Sequence, residues 1–124
     1  MIPSFRAWDK LNNEMYVVEQ INFNRGEFES IGYGITFLCG ADKVELMQST
    51  GLKDKNGKEI FEGDIVDYKG RKAVVKWHGS YASFIYRFVD ELQERVSEWH
   101  PLFLAYYHFE IIGNIYENKE LLDA

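Results

Sequence analysis

Residues 49–78 read STGLKDKNGKEIFEGDIVDYKGRKAVVKWH, in which two short polar turns separate runs of apolar residues. The first turn contains Asn56-Gly57, a dipeptide that strongly favours β-hairpins. The second contains Lys69-Gly70, and its glycine can take the positive φ angle that a two-residue hairpin loop requires. This stretch therefore predicts consecutive antiparallel strands rather than helices.

The same pattern of short apolar runs and turn residues covers most of the chain, as in mainly β proteins. The predicted strands are EMYVVEQINF (14–23), YGITFL (33–38), VELMQ (44–48), DIVDY (64–68), RKAVVKWH (71–78), YASFIYRF (81–88), LFLAYY (102–107) and FEIIGNIY (109–116). Apolar residues recur at three- and four-residue steps in VDELQERVSEW (89–99), which predicts one short helix near 89–98.

These patterns predict a mainly β fold with a small SH3-like or otherwise closed barrel over residues 60–116. N-terminal strands over residues 1–50 would pack on the barrel or extend it. An α+β fold is the alternative. At 124 residues, with no linker-like segment, the chain is expected to form a single domain over 1–124.

Composition narrows the class of protein. The chain is 46% hydrophobic and 27% charged with only two prolines, which is typical of a globular protein. It has no apolar run long enough to span a membrane, and its N-terminus lacks the pattern of a secretory signal. The single cysteine, Cys39, cannot form an internal disulfide, so we expect a cytoplasmic protein.

Charge and aromatic content bear on the partners. The formal net charge of −6 disfavours non-specific attraction to nucleic acid or to anionic membranes. The aromatic share of 16% is high, and large aromatic side chains are common at protein interfaces.

The polar centre of the opening stretch lacks the pattern of a ligand site. A calcium loop that starts at Asp54 needs oxygen ligands at alternate positions, but after Asn56 the next such position is Lys58. A phosphate-binding loop would lead into a helix, whereas a β-like run, 59–61, follows Gly57. Asp54, Asn56 and Gly57 are therefore predicted to form a structural turn.

Two segments share this turn chemistry. DKLNNEMY (9–16) and DKNGKEIF (54–61) both begin with Asp-Lys and continue to an Asn and a Glu before apolar residues. Asp and Asn side chains hydrogen-bond to nearby backbone, so we interpret both segments as corners of one type.

No residue pattern in the chain indicates catalysis or metal binding. His108 and Glu110 have the spacing to share one face of a strand, but no compact pair of metal ligands accompanies them. Ser80 lacks the sequence context of an activated serine, and Cys39 is interpreted as a small apolar residue. We predict no enzyme activity, no catalytic residue, no metal and no cofactor, and an enzyme with an unrecognised site is the third hypothesis for the function.

A local basic strand provides the alternative function. Lys69, Arg71, Lys72 and Lys76 lie close together in sequence, beside several aromatic residues. Basic grooves with stacking rings bind single-stranded nucleic acids. Strand alternation, however, places Trp77 with Ala and Val on an inward face and the two lysines on the opposite, solvated face. Nucleic-acid binding is therefore the second hypothesis.

Three motifs resemble a known family. FRAWDKLNNEM (5–15), LMQSTGLKDKNGKEIFEGDIV (46–66) and EIIGNIYENKELL (110–122) are similar to the YopX family of small proteins of phages and prophages. The resemblance implies expression from phage DNA in the cytoplasm of a bacterial host. It implies no activity, cofactor or site residue, because the family has no established function.

The composition and the resemblance together favour a non-catalytic protein-binding module. Its expected partner is a host or phage protein, or a second copy of the chain as a homo-oligomer. Nucleic acid is expected to be an unlikely partner, and no membrane association is expected.

Overall fold

The structure, a computed structural model, describes residues 4–25, 27–33, 36–39, 43–92 and 99–123. At residues 23, 24, 27–31, 33 and 36–39 it describes the backbone but not the side chain. These ranges contain strands β1 (Phe5–Asp9), β2 (Glu14–Val18), β3 (Gln20–Asn24), β4 (Glu27–Tyr33), β5 (Thr36–Cys39), β6 (Val44–Lys53), β7 (Glu59–Phe61), β8 (Asp64–Tyr68), β9 (Arg71–His78), β10 (Ser83–Phe88), β11 (His100–Pro101) and β12 (Glu110–Asn114). Short 3₁₀ helices span Val89–Glu91, Leu102–Leu104, Tyr106–His108 and Lys119–Leu122. The predicted mainly β fold is confirmed.

The chain divides into two compact units, residues 1–48 and 49–124. In the first unit, β1 pairs antiparallel with β2 on one side and with residues 44–48 of β6 on the other. A second sheet has the order β3-β4-β5. Ala7 and Val44 are buried between partly buried aliphatic side chains of this unit. The single domain over 1–124 stays a prediction.

The second unit is built on a five-stranded antiparallel sheet with the order β11-β10-β9-β8-β12. The sheet curls, so the predicted barrel-like core is a half-barrel. Its central hairpin, β8–β9, turns at Lys69 and Gly70, whose φ angles are 51° and 88°. Two consecutive positive φ angles define the tight hairpin turn that matches the twist of the strands. This is the turn that the Lys-Gly pair predicted.

The inner face of this sheet carries the main core. Alternate residues of β8, β9 and β10 point to it, and the 3₁₀ segment after β11 closes it from the other side. The buried side chains are Ile60, Val66, Ala73, Val75, Tyr86, Phe88, Leu102, Ala105 and Phe109. Tyr86 and Phe109 pack edge to face at 4.9 Å, an arrangement that aromatic pairs prefer.

The outer face is also covered at its centre, which corrects the prediction of a solvated face. Ile65, Val74 and Val89 are buried there under Leu121 and Leu122 of the C-terminal 3₁₀ helix and its neighbours. Val74 therefore lies in a second core although it alternates with two lysines. Strand alternation alone assigned it to solvent, because the covering helix is distant in sequence.

Several local predictions differ from the structure. LFLAYY forms two 3₁₀ helices rather than a strand, and the N–H groups of Ala105 and His108 donate to the carbonyl oxygens three residues earlier, at 3.1 and 3.0 Å. The every-third-residue burial of Leu102 and Ala105 is hidden in sequence because nearly every residue there is apolar. The helix predicted near 89–98 begins as the 3₁₀ turn Val89–Glu91. Residues 93–98 lie outside the described residues.

Two further local features lie near the C-terminal end. β12 contains a bulge, seen as a shift of register between Ile111 and Gly113, and a glycine inside a strand often marks such a bulge. The last 3₁₀ helix spans Lys119–Leu122. In the part of the chain that the structure describes, no helix has the length and apolar character needed to cross a bilayer.

Candidate functional site

The predicted turn residues lie in the loop between β6 and β7. Asp54 is 5% exposed, and its Oδ1 accepts hydrogen bonds from the backbone N–H groups of Asn56 and Lys58, both at 2.9 Å. Its Oδ2 accepts from the N–H of Ile111 in β12 at 3.0 Å. Gly57 has a φ of 81°, which a side chain would disfavour. The Asp54 carboxylate thus anchors this loop to β12.

Two opposing effects act on the ionisation of Asp54. Burial raises its pKa, but the backbone N–H groups of Ile111, Lys58 and Asn56 lower it by more, and the net pKa lies below the ordinary value. A carboxylate held by several N–H donors is stabilised in its charged form. The oxygens that a cation would need are therefore bound to backbone.

The four basic residues singled out in the sequence do not form one group. Arg71 points to the inner face, where its Nη2 lies 2.8 Å from Asp90 and 3.2 Å from Glu91. Its guanidinium also stacks 3.6 Å from the Phe88 ring centre. The hydrogen bond to Asp90 is the main reason that the Arg71 pKa is raised. This charge is neutralised within the fold.

The two lysines next to Arg71 also have partners at their own positions. Lys72 Nζ donates to the carbonyl oxygen of Asp123 at 3.2 Å, beside the C-terminal 3₁₀ helix. Lys69 lies in the β8–β9 turn, with its Nζ 5.5 Å from the Tyr68 ring centre. Of the four, Lys76 alone takes part in a different grouping, which sequence reasoning missed.

That grouping is an open hollow at the outer face of the β9–β10 hairpin, with a volume of about 250 Å³. We call it the β9–β10 hollow. It is lined by Lys76, Trp77, His78, Ile85, Arg87 and Trp99. The strand register builds it, because Ile85 lies opposite Lys76 and Arg87 lies opposite Val74. Lys76 and Arg87 are therefore diagonal neighbours on one face.

The two cations of the β9–β10 hollow influence each other. Burial, followed by the neighbouring charge of Arg87, lowers the pKa of Lys76. Among the described residues, neither side chain forms an ion pair, whereas Arg71 has two acidic partners. Each of two neighbouring positive charges disfavours the charged form of the other, and a bound anion would offset this effect.

Two buried polar atoms at the β9–β10 hollow lack protein partners. Arg87 Nε and His78 Nδ1 are both inaccessible to solvent and form no hydrogen bond within the described residues. Leaving a buried donor unsatisfied costs about 1–3 kcal/mol. Such atoms are uncommon in folded proteins and call for a specific explanation.

Aromatic rings border the two cations. The rings of His78, Tyr81 and Trp99 lie within 4.7–5.1 Å of one another, centre to centre. Trp77 is 47% exposed and packs edge to face on Phe84 at 4.9 Å. Trp77 shares the inner face with Ala73 and Val75, as predicted, but it is not buried with them, because β9 extends beyond the core at this end.

The histidine–glutamate pair does not form as predicted. His108 ends the 3₁₀ helix Tyr106–His108, whereas Glu110 begins β12, so the two do not share a strand face. The His108 ring lies 6.0 Å from that of Tyr68, and Glu110 lies 3.7 Å from Lys55 Nζ. Within the described ranges, no three His, Cys, Asp or Glu side chains are grouped as metal ligands would be.

The remaining candidates give no site. Ser80 lies in the β9–β10 turn, and the side chain of Cys39 falls outside the described ones. That the chain is not an enzyme stays a prediction.

A separate surface feature lies on the 3₁₀ segment. Phe103 is 60% exposed, Leu104 61% and Tyr107 55%, although all three are large and mainly apolar. We call them the 3₁₀ apolar patch.

A family model described as YopX protein matches residues 4–123. The chain belongs to the YopX family. The match includes residues 74–108, where the sequence motifs had given no sign of the resemblance. Among solved structures, the crystal structure of protein EF1440 from Enterococcus faecalis is similar, with 31% sequence identity and a TM-score of 0.61 over 99% of each chain. No curated protein matches this member of the YopX family.

Proposed function

We propose that this YopX-family chain is a non-catalytic accessory protein that acts by binding another protein. Family membership supports expression from phage or prophage DNA, and therefore action in the cytoplasm of a bacterial host. The partner is a host or phage protein, with a second copy of the chain as the other candidate.

The observation that carries this proposal is the 3₁₀ apolar patch. Single exposed apolar side chains are common, but three large ones within five residues are a feature of binding surfaces. The patch is held in place from below, since Leu102 and Ala105 of the same segment are 0% and 4% exposed. A preorganised patch loses little conformational entropy on binding.

Two of the polar side chains singled out in the sequence form structural contacts. Asp54 anchors a loop to β12, and Arg71 pairs with Asp90. These contacts support a structural role for both residues.

The first prediction tests the patch. The triple variant Phe103→Ser, Leu104→Ser, Tyr107→Ser should lose its partner, because fully burying one large apolar side chain contributes about 1.5–3 kcal/mol. The matched control is Leu11→Ser, Val17→Ser, which alters side chains that are 72% and 73% exposed in the first unit. Proteins captured from host lysate are identified, purified and titrated against all three forms.

We expect the triple variant to bind the purified partner at least ten-fold more weakly, and the control to bind as the wild type does. Sedimentation of the same three forms tests self-association as the source of binding. Equal capture and equal sedimentation by the triple variant would overturn the proposal.

A further inference from the structure

We propose that the β9–β10 hollow binds single-stranded nucleic acid, with a phosphate held by Lys76 and Arg87 and a base stacked on the bordering rings of Tyr81 and Trp99. This site differs from the 3₁₀ apolar patch and shares none of its residues. It also differs from the basic strand that the sequence indicated, since Lys76 is the one residue that the two share.

The first step of the inference is electrostatic. Lys76 and Arg87 are diagonal neighbours on paired strands, and no described carboxylate pairs with either. Arg71, on the inner face of the same hairpin, shows how this fold satisfies a cation when no ligand is needed. A bound phosphate would supply at Lys76 and Arg87 the counter-charge that the described residues do not provide.

The second step is the hydrogen bonding of Arg87. Its Nε is buried and has no partner among the described residues, and this is one of the two atoms with which a guanidinium donates side by side to a phosphate. His78 Nδ1, also without a described partner, lines the same hollow. Two unsatisfied atoms therefore belong to residues that line the hollow.

The third step distinguishes a nucleic acid from a simple anion. Tyr81 is 63% exposed and its ring lies 4.8 Å from that of Trp99, which lines the hollow, so ring surface is available at its edge. Proteins that hold single strands without reading sequence combine such rings with positive charge, and stacking is possible for every base.

The fourth step is size. Pockets that enclose small molecules typically measure about 300–1,000 Å³. The hollow is smaller, at about 250 Å³, and it is open. A single strand that crosses the hollow and places one nucleotide in it fits this shape better than an enclosed metabolite does. The chain's net charge of −6 would confine binding to this spot and keep the affinity modest.

The second prediction is tested with fluorescently labelled oligomers of twelve thymidines or twelve uridines, titrated at 50 and 200 mM salt. Two phosphate contacts on a single strand give a slope of about −1.4 in log affinity against log salt, or about a seven-fold loss over this range. The DNA and RNA arms show whether the sugar matters.

Variants separate the charges from the rings. The double variant Lys76→Gln, Arg87→Gln should bind the oligomers about ten-fold or more weakly. Most of the salt dependence of the affinity should also disappear, because both phosphate contacts are lost. The matched control, Lys53→Gln, Lys119→Gln, removes two exposed positive charges elsewhere in the second unit and should bind as the wild type does. Lys76→Gln alone, at an exposed position, gives an intermediate loss and covers the case in which the double variant unfolds.

Tyr81→Leu should weaken binding to the thymidine oligomer about ten-fold, with little effect on an abasic oligomer of the same length. Equal binding of the abasic and the thymidine oligomers would overturn the proposal by showing a simple anion site. Tighter binding of a tyrosine-phosphorylated peptide would overturn it in favour of a protein ligand. If the double variant Lys76→Gln, Arg87→Gln bound the oligomers as the wild type does, the proposal would be overturned outright.

Discussion

At the residue scale, buried polar side chains in this protein act mainly on its own backbone. Asp9 and Asp54 are 1% and 5% exposed, and each accepts a hydrogen bond from the backbone N–H two residues later. Asn114 accepts from the N–H groups of Tyr116 and Glu117 in the same way. The shared corner chemistry inferred for Asp9 and Asp54 is therefore confirmed.

Asp54 has the largest structural role of these residues, because it also accepts from Ile111 across the fold. The third prediction is that Asp54→Asn destabilises the protein by about 2–3 kcal/mol at pH 7, since hydrogen bonds to a charged acceptor are lost. Urea denaturation measures this as a lower midpoint with an unchanged slope. The control is Lys55→Ala in the same loop, whose exposed ion pair with Glu110 contributes less than about 1 kcal/mol.

The pH dependence of the same variant follows from the lowered pKa of Asp54. A carboxyl with a lower pKa in the folded chain stabilises it above the unfolded pKa. This stabilisation is lost as the pH falls through the folded value. The difference between wild type and Asp54→Asn should therefore shrink below about pH 4. A difference that is constant from pH 7 to pH 3 would contradict the role of the charge.

At the element scale, the bulge in β12 lies where the strand packs closely against Asn118 of the segment that follows it. A Cβ at Gly113 would lie 2.5 Å from Asn118 Oδ1, which accepts the N–H of Asn114 at 3.1 Å. The glycine is needed for this close approach, since a side chain would displace the amide that caps the end of the strand.

The fourth prediction is that Gly113→Ala destabilises the second unit by about 1–3 kcal/mol through overpacking. Gly79→Ala is the matched control, because a Cβ there meets no atom within 4 Å. It should change stability by less than about 0.5 kcal/mol. In an Asn118→Ala background the cost of Gly113→Ala should fall, and strictly additive effects would argue against a clash with Asn118.

At the scale of the whole molecule, the chain forms two compact units, yet β6 runs from Val44 to Lys53 across the boundary between them. The fifth prediction is that both units unfold in one transition, as expected of a single domain. In the double variant Trp77→Phe, Trp99→Phe, Trp8 is the one tryptophan left. Its fluorescence reports on the first unit alone, while far-UV circular dichroism reports on both units.

We expect the two signals to coincide in urea, with midpoints that agree within error. The wild-type dichroism curve controls for destabilisation by the substitutions. A Trp8 transition at lower urea, followed by a second dichroism transition, would show two separate domains.

The candidate site shows where sequence reasoning fails. The basic residues of β9 were visible, but Arg71, Lys72 and Lys76 diverge because alternation and the β8–β9 turn direct them to different partners. Arg87 and Trp99 were missed because the first joins Lys76 through strand pairing and the second is contributed by another segment. Neither relation leaves a signal in local spacing.

The sequence by itself determined the β class, the two turns at Asn56-Gly57 and Lys69-Gly70 and the membership of the family. These depend on backbone conformations and on periods that adjacent residues impose. The tertiary structure alone decided that Val74 is buried, that LFLAYY is helical and that Lys76 and Arg87 share a hollow with Trp99. Those outcomes depend on which distant segment packs against a given face, and pairing between residues far apart in the chain is not encoded in any short stretch.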